Sequence, residues 1–487
     1  MRLSELESDD IGLIGTDTEF YGISTNSRTV KPGDLFLCIE GVSANRHDFL
    51  NEAVEKGAVA AVVSENVSTT VPTLKVENVN DVADALFQKF YGNPQNELKL
   101  FGVTGTDGKT SISTILSQLI GTKKCANIGT NGIFLGEKYY PSWNTTPDSD
   151  VIYERFRGFL HDGATAVSME FSSEAQLFGR LRNLKFDVLG LSNITREHLN
   201  AHGTLENYIQ AKIDIFKTHL RPTGVAVLNA DDQCFDTVRA QLDADGIKTL
   251  TYGRGAANDL QIKKYAILMN KTTITFVAEE QGRVNEYAVD SPLLGDFNVE
   301  NLACALLMLH AAGFEYSQTL RRVPELNISG RLDVIDEGQD FGVIVDYAHT
   351  PNGLTRMFEF VKQIPNVNRI ITVIGQAGER DKLKRPQVGE IVMRYSDLAV
   401  FTEEDPKNEP PERAVNDIVS TLVSADRGRY SIVLDRAEAI RYGVKMAQTG
   451  DLVLVLGKGN EDFHKVGDIK LPWSDEEVVR TALRVGD

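Results

Sequence analysis

Short apolar runs recur along this chain, and each closes on a polar, glycine-containing loop. Residues 58–63, 98–103, 164–169, 186–191 and 225–229 are such runs, and residues 343–345, 370–374, 398–401 and 452–456 repeat the pattern. Runs this short, bounded by turn residues, are the mark of strands buried on both faces of a parallel sheet. Between them the apolar spacing turns helical, at residues 51–57, 79–91, 112–120 and 205–216. An Ala- and Leu-rich helix opens after residues 293–301. Pro32-Gly-Asp34 is a turn between two short strands. Strands alternating with helices predict an α/β protein. Phe90-Tyr-Gly-Asn-Pro94 breaks a helix and marks a boundary. Three domains are expected. Residues 1–93 form a small α/β unit without any acid–base constellation. Residues 94–329 form a P-loop ATPase-like parallel sheet. Residues 330–487 form a Rossmann-like doubly wound sheet, whose ligands belong at the carboxyl ends of its strands.

One loop stands apart. In Leu100-Phe-Gly-Val-Thr-Gly-Thr-Asp-Gly-Lys-Thr-Ser111 a strand runs into a glycine-spaced turn and then into a helix. A phosphate cradle needs this order, because loop N–H groups and the positive helix end converge on phosphate oxygens. Gly105 and Gly108 turn without a Cβ clash. Lys109 can reach the β- and γ-phosphates, and the Thr110 hydroxyl can ligate Mg²⁺. Val103 stands where the strict P-loop has glycine, so the loop is a variant. A Gly-rich turn with a surface lysine is the plainer alternative, but Gly-Lys-Thr between strand and helix favours nucleotide. The ATP candidates here are Gly105, Thr106, Asp107, Gly108, Lys109, Thr110 and Ser111. Glu170 ends the 164–169 strand, the usual place for a Mg²⁺ partner beside a phosphate loop. Without that loop it reads equally well as a surface glutamate. His198, in a polar loop after a strand, can ligate a metal or neutralise phosphate. Lys212 on its helix is by default a solvated charge, and Asn144-Thr-Thr-Pro147 is by default an ordinary turn.

Composition narrows the class. A chain of 487 residues with net charge −18 has room for several cores and lacks the basic face that nucleic acid or an anionic membrane would need. The four cysteines, Cys38, Cys125, Cys234 and Cys304, lie far apart without metal-ligand spacing and read as thiols of a reducing compartment. The first ten residues are mixed and acidic, unlike a signal peptide, and no apolar run is long enough to span a bilayer. A cytoplasmic monomer without membrane insertion is expected.

Gly102-Val-Thr-Gly-Thr-Asp-Gly-Lys-Thr110 resembles the ATP loop of the Mur ligase superfamily, ATP-dependent amide-bond-forming enzymes, and later motifs match that family in order. Ser24-Thr-Asn-Ser-Arg28, Pro32-Gly-Asp-Leu-Phe36 and His47-Asp-Phe49 resemble the uridine-nucleotide domain of UDP-N-acetylmuramoyl-tripeptide synthetases. The resemblance assigns Ser27 to the UDP group, with Asn26 replacing the usual Asp. It assigns Asn144, Thr145, Thr146, Ser172 and Arg180 to the muramoyl-dipeptide. Glu170, in Met169-Glu-Phe-Ser-Ser-Glu174, becomes a metal ligand, and Glu174 replaces the family's His. His198 matches the metal-site His, with Asn200 in place of an Asp. Lys212, in Tyr208-Ile-Gln-Ala-Lys212, matches the lysine that CO₂ converts to N6-carboxylysine, a ligand of the second Mg²⁺. Desolvation beside metals would favour the neutral amine that this reaction requires. Asn298, Asn301, Arg331, Asp346 and His349 fall at nucleotide contacts. Arg380, Glu404, Asp405, Lys407, Gly457 and Glu461 fall at the incoming amino acid.

The resemblance implies a cytoplasmic ligase using ATP and Mg²⁺. The D-Glu carboxylate of UDP-N-acetylmuramoyl-L-alanyl-D-glutamate would take the γ-phosphoryl group, and an amino acid's α-amine would then displace phosphate after domain closure. A non-catalytic binding subunit is the rival, but Lys109, Glu170 and Lys212 are all present. Family members using meso-diaminopimelate carry Asp-Asn-Pro-Arg where this chain has Glu404-Asp-Pro-Lys407. Lysine lacks the arginine fork. With Glu403, Glu404 and Asp405 adding negative charge, L-lysine is the expected amino acid, diaminopimelate the alternative and ornithine third.

Overall fold

The computed structural model describes every residue except 9–10, 41–44, 143, 196–203, 269, 329–331, 380–381, 424–425, 427, 460, 468 and 486–487. The chain divides into two compact units: residues 1–261, 278–283 and 300–320, and residues 262–277, 284–299 and 321–487.

The first unit opens with five short strands: β1 (Gly12–Ile14), β2 (Gly22–Ser24), β3 (Asp34–Leu37), β4 (Ala60–Val63) and β5 (Thr73–Lys75). Their order is β1-β5-β4-β3-β2, parallel except for β1. Every residue of β3 and β4 is buried, and apart from Asp34 at the start of β3 all of them are apolar, as strands covered on both faces require. The same hydrophobic core runs on from Leu35, Leu74 and Phe87 to Leu100, Ile128, Tyr153 and Leu228, so the first segment, up to residue 93, and the P-loop segment share it.

Six parallel strands carry the P-loop: β6 (Lys99–Thr104), β7 (Cys125–Gly129), β10 (Ala166–Glu170), β11 (Phe186–Leu191), β12 (Leu220–Asn229) and β13 (Thr249–Gly253). β8 (Gly132–Leu135) and β9 (Lys138–Tyr140) add antiparallel strands after β7. The order is β13-β12-β11-β6-β10-β7-β8-β9. β6 lies between β10 and β11, with Val103 opposite Glu170 and Thr104 opposite Leu191. The chain leaves β6 to one side and later returns on the other, so a crevice for ligand opens at these strand ends. The helix after the loop spans Lys109–Ile120, starting before the expected residue 112 and placing Lys109 and Thr110 in its first turn. Strands β14 (Leu260–Ile267), β15 (Thr272–Glu280) and β16 (Arg283–Ser291) follow, with a division between the units running through them and through the helix Asp296–Ala311.

The second unit is built on β17 (Asp333–Val334), β18 (Gly342–Asp346), β19 (Ile370–Gln376), β20 (Leu398–Glu403), β21 (Tyr430–Ile432) and β22 (Leu452–Leu456), in the order β17-β18-β22-β19-β20-β21. All pairings are parallel except β17 with β18. Ile344, Leu454, Ile374 and Phe401 pack on one face, while Val343, Val345, Val453, Val373 and Val400 pack on the other. This period-two split between two apolar cores is what a sheet covered by helices on both faces requires. The register brings Asp346 opposite Leu456 and Gln376 opposite Glu403, which levels the four expected polar loops at one edge. A hairpin, β23 (Phe463–Val466) and β24 (Ile469–Pro472), completes the unit.

Candidate functional site

In the first unit the phosphate loop is shaped by what surrounds it. Gly105 has φ +145° and Gly108 φ +84°. A Cβ at Gly105 would sit 1.9 Å from Ser192 Oγ, and one at Gly108 2.4 Å from Asn301 Oδ1. Neither position tolerates a side chain. The loop after β11 holds the P-loop from outside: Asn193 accepts from Thr106 N (2.9 Å) and, through Oδ1, from Asp107 N (3.0 Å). Lys109 Nζ donates to the carbonyls of Gly105 (3.0 Å) and Thr106 (2.8 Å). Asn301 is buried against Gly108, whereas Asn298, which falls in the second unit, donates its amide to Leu294 O, just ahead of the helix, at 2.8 Å.

Glu170 is 1% exposed and draws several expected residues together. Its Oε1 accepts from the Thr110 hydroxyl (2.9 Å) and Thr130 N (2.8 Å), its Oε2 from the Thr130 hydroxyl (3.1 Å), and its carbonyl from the Thr146 hydroxyl (2.9 Å). Thr130 Oγ1 lies 3.1 Å from Thr145 Oγ1. Thr146 Oγ1 accepts from Ser172 N (3.0 Å), and Arg180 donates to Thr146 O (3.1 Å) while its Nε lies 3.4 Å from Asp148. The carboxylate end of β10 is therefore tied both to the phosphate loop and to the Asn-Thr-Thr-Pro loop. An oxygen donor set of a hydroxyl and a buried carboxylate suits a hard cation such as Mg²⁺. Among the described residues, no three His, Cys, Asp or Glu side chains converge to hold a metal ion.

Lys212 is 1% exposed, with Nζ 4.5 Å from the centre of the Tyr208 ring. Tyr208 OH lies 3.2 Å from Thr106 Oγ1, linking this lysine's helix to the phosphate loop. A buried lysine is not a solvated surface charge. Ser27 donates to Glu52 (2.9 Å), and Asn26 Oδ1 accepts from Arg28 N (3.0 Å). That Asx turn needs only a side-chain oxygen, which explains how Asn26 can replace Asp. Glu174 lies in the first turn of Ser173–Leu177, and nothing in the structure explains its replacement of His. His198 and Asn200 lie outside the described residues, as do Arg331 and Arg380.

In the second unit Asp346 accepts from Leu332 N and Ala348 N, both at 2.8 Å, so its carboxylate shapes the loop after β18. His349 Nδ1 faces Tyr347 O at 2.9 Å. Beside these, Lys458 Nζ, fully buried, bridges Asp405 and Glu461, each at 2.8 Å. Burial pushes the Asp405 carboxyl up, but the hydrogen bonds from Lys458 and from Lys465 N, with the nearby positive charge of Lys458, together outweigh it and leave the pKa lowered. Glu404 points inward with 8% exposure, and burial raises its pKa to about 7. A Cβ at Gly457 would stand 3.0 Å from its Oε2. Lys407 adopts φ +54° and is pinned to β23 through Lys465 O (3.1 Å) and Gly467 N (2.9 Å).

Sequence reasoning passed over several residues. Thr130, in the turn between β7 and β8, carries no motif that marks it. Ser192 and Asn193 offer no motif of their own. Lys458 and Arg385 look like surface charges until their burial is known. Arg385, fully buried, pairs with Glu409 and Asp417, each at 2.8 Å, and Glu409, held well below the usual carboxylate range by that arginine, also accepts from Glu379 N.

Comparison with known proteins bears on the whole arrangement. Three family models match: the Mur ligase family catalytic domain at residues 19–91, the Mur ligase middle domain at 103–309, and the Mur ligase glutamate ligase domain at 330–459. A UDP-N-acetylmuramoyl-L-alanyl-D-glutamate–2,6-diaminopimelate ligase of Geobacillus thermodenitrificans is 37% identical over 479 residues, 96% of each chain. One of the same name from Listeria monocytogenes is 34% identical over 97% of this chain and 96% of its own. A solved structure of a ligase with that name is 30% identical, with TM-score 0.74 over 97% of both chains. The MurF ligase of Thermotoga maritima in complex with ADP, 20% identical with TM-score 0.59, shares the fold. The names of the first three of these proteins carry diaminopimelate, against the expectation of L-lysine. The chain belongs to the Mur ligase family, as an ATP-dependent ligase of the UDP-N-acetylmuramoyl-tripeptide synthetase type.

Proposed function

We propose that this ligase adds meso-diaminopimelate, rather than L-lysine, to UDP-N-acetylmuramoyl-L-alanyl-D-glutamate. The observation that carries the choice is the fate of the acidic segment. Asp405 is neutralised by Lys458, and Glu404 is buried, which raises its pKa to about 7 and takes its carboxyl away from the surface. Glu403 lies 3.4 Å from His464. Two of the three negative charges that argued for lysine are thus spent inside the unit. Lys407 joins no ion pair among the described residues and offers a point charge for a distal carboxylate, without arginine's fork. The names of the relatives support the same choice.

In the proposed reaction a D-Glu carboxylate oxygen attacks the γ-phosphorus of ATP and ADP leaves. The amino acid's amine attacks the resulting acyl carbon, phosphate departs with the electron pair, and the ammonium proton passes to solvent. Lys109 neutralises the transferring phosphoryl group. Thr145, Thr146, Ser172 and Arg180 orient the dipeptide, Ser27 contacts the uridine nucleotide, and Asn301 lies beside the nucleotide loop. Thr110, Glu170 and a carboxylated Lys212 would hold Mg²⁺, which when bound offsets phosphate charge. kcat/KM with diaminopimelate, lysine and ornithine and a common dipeptide substrate tests the choice. Diaminopimelate is expected to lead by at least an order of magnitude, roughly the cost of leaving one charged group unpaired, and a preference for lysine would sink it.

A further inference from the structure

The Thr130 hydroxyl sits between two groups assigned to different jobs, the buried Glu170 carboxylate and Thr145 of the dipeptide loop, 3.1 Å from each. Hydroxyls can donate or accept, so distances alone leave the polarity of Thr145 open. The chemistry of the chain resolves it. An ionised carboxylate only accepts. Thr130 has one hydroxyl proton, and Glu170 Oε2 takes it. The contact to Thr145 must then run the other way, with the Thr145 hydroxyl donating to Thr130. Thr145's proton is thereby spent on the protein side, and its remaining lone pair faces outward as an acceptor. The backbone N–H of Thr130, which donates to Glu170 Oε1 at 2.8 Å, holds this residue in place independently of its side chain.

We propose that Thr130 is a positioning residue that fixes Thr145 as a hydrogen-bond acceptor, so that Thr145 recognises an N–H or O–H of the muramoyl-dipeptide rather than one of its carboxylates. This rests on the reading that Thr145 belongs to the dipeptide site. Thr130→Val removes the relay hydroxyl while keeping the β-branched shape and the backbone bond to Glu170. With the relay gone, Thr145 is free to turn its own proton outward, and the site loses its preset polarity.

The test is calorimetric binding of UDP-N-acetylmuramoyl-L-alanyl-D-glutamate, without turnover, in the absence and presence of Mg²⁺ and a non-hydrolysable ATP analogue. Thr130→Val should weaken binding about five- to tenfold, the scale of one net hydrogen bond, while Thr130→Ser stays within about twofold of the parent. Thr145→Val should weaken binding similarly, and the double variant should bind no more weakly than Thr145→Val alone, because both changes remove the same recognition event. Thr130→Val also leaves the buried Glu170 Oε2 without this donor, so its melting midpoint should fall modestly, while Thr130→Ser keeps the parent's midpoint as well as its binding. Additive losses, equal binding by Thr130→Val and the parent, or a Thr130→Ser as weak as Thr130→Val would each overturn the relay. If the parent binds no dipeptide under either condition, the assignment of the site itself falls, and the relay with it. That failure shows in the parent, whereas failure of the relay alone shows only in the variants.

Discussion

Lys109 and Lys212 share a side chain and differ in everything around it. Lys109 reaches back to the carbonyls of its own loop, where a nucleotide's phosphates would compete for it. Lys212 is sealed from water beside Tyr208. Lys109→Ala should abolish turnover, and added small molecules should not restore it. Lys212→Ala should lose turnover yet regain part of it with a short carboxylic acid that stands in for the carbamate. Phosphate release measured across a concentration series of that acid checks the pair, and full activity of either variant refutes its role. Glu404 makes a different kind of claim. Its pKa in the fold is raised to about 7 from 4.5, chiefly by burial. The folded state therefore holds a proton that the unfolded state has released between these values. Its contribution is complete below pH 4.5 and is lost as pH rises through 7. Glu404→Gln copies the protonated shape and should gain stability on the parent at pH 8, by up to about 3 kcal/mol. At pH 4.5 the two should match. Melting midpoints at the two pH values decide this, and a constant difference would refute the buried acid.

Elements are locked by charged side chains that the linear pattern conceals. Arg385 ties the helix Lys384–Tyr395 to Glu409 and to Asp417 on the helix Pro411–Val419, and Glu409 in turn caps the loop after β19 through Glu379 N. Arg385→Met would leave the buried Glu409 without its main partner, and breaking a buried pair in this way costs about 3–5 kcal/mol. A lowered melting midpoint is expected, with a larger fall at pH 7 than at pH 4, where Glu409 can take up a proton once its arginine is gone. Equal falls at both would argue against the ion pair. In the first unit His219 ends the helix Leu205–His219, with its ring nitrogens 2.9 Å from Leu184 O and 2.7 Å from Gln176 Oε1. Burial lowers its pKa to about 4 from 6.5. The unfolded chain binds the proton first, so stability is lost as pH falls from 6.5 towards 4. His219→Gln should flatten that acid limb, which pH-dependent melting will show.

The molecule as a whole has fewer cooperative parts than motifs. Asp84, on the helix Val79–Phe90, is buried among Ser149 Oγ (2.6 Å), Asn183 N (2.7 Å), Tyr153 OH (3.2 Å) and Gln88 Nε2 (3.2 Å). Three of these partners belong to the P-loop segment. With the apolar core also continuous across residue 93, the first two segments should melt together. Calorimetry should resolve two transitions rather than three, and Asp84→Ala should lower only one. A separate early transition assigned to residues 1–93 would refute the shared unit.

The sequence alone determined the α/β class, the strands that carry polar loops, and the phosphate loop itself. Apolar runs and the Gly-Lys-Thr pattern are local properties, set by backbone conformation and burial of neighbouring residues. It also singled out Glu170, Thr145, Thr146 and Lys212 by type and order, though not what each touches. The tertiary structure decided the rest. Burial turned Lys212, Lys458 and Arg385 from surface charges into buried ones. Pairing did the same for the Glu404–Lys407 segment. Along the chain it reads as acidic, but folding hides Glu404 in a setting that favours its proton and gives Asp405 to Lys458, 53 residues away in sequence. The charge a ligand meets is the charge left after burial and pairing, and both depend on residues that only the fold brings together.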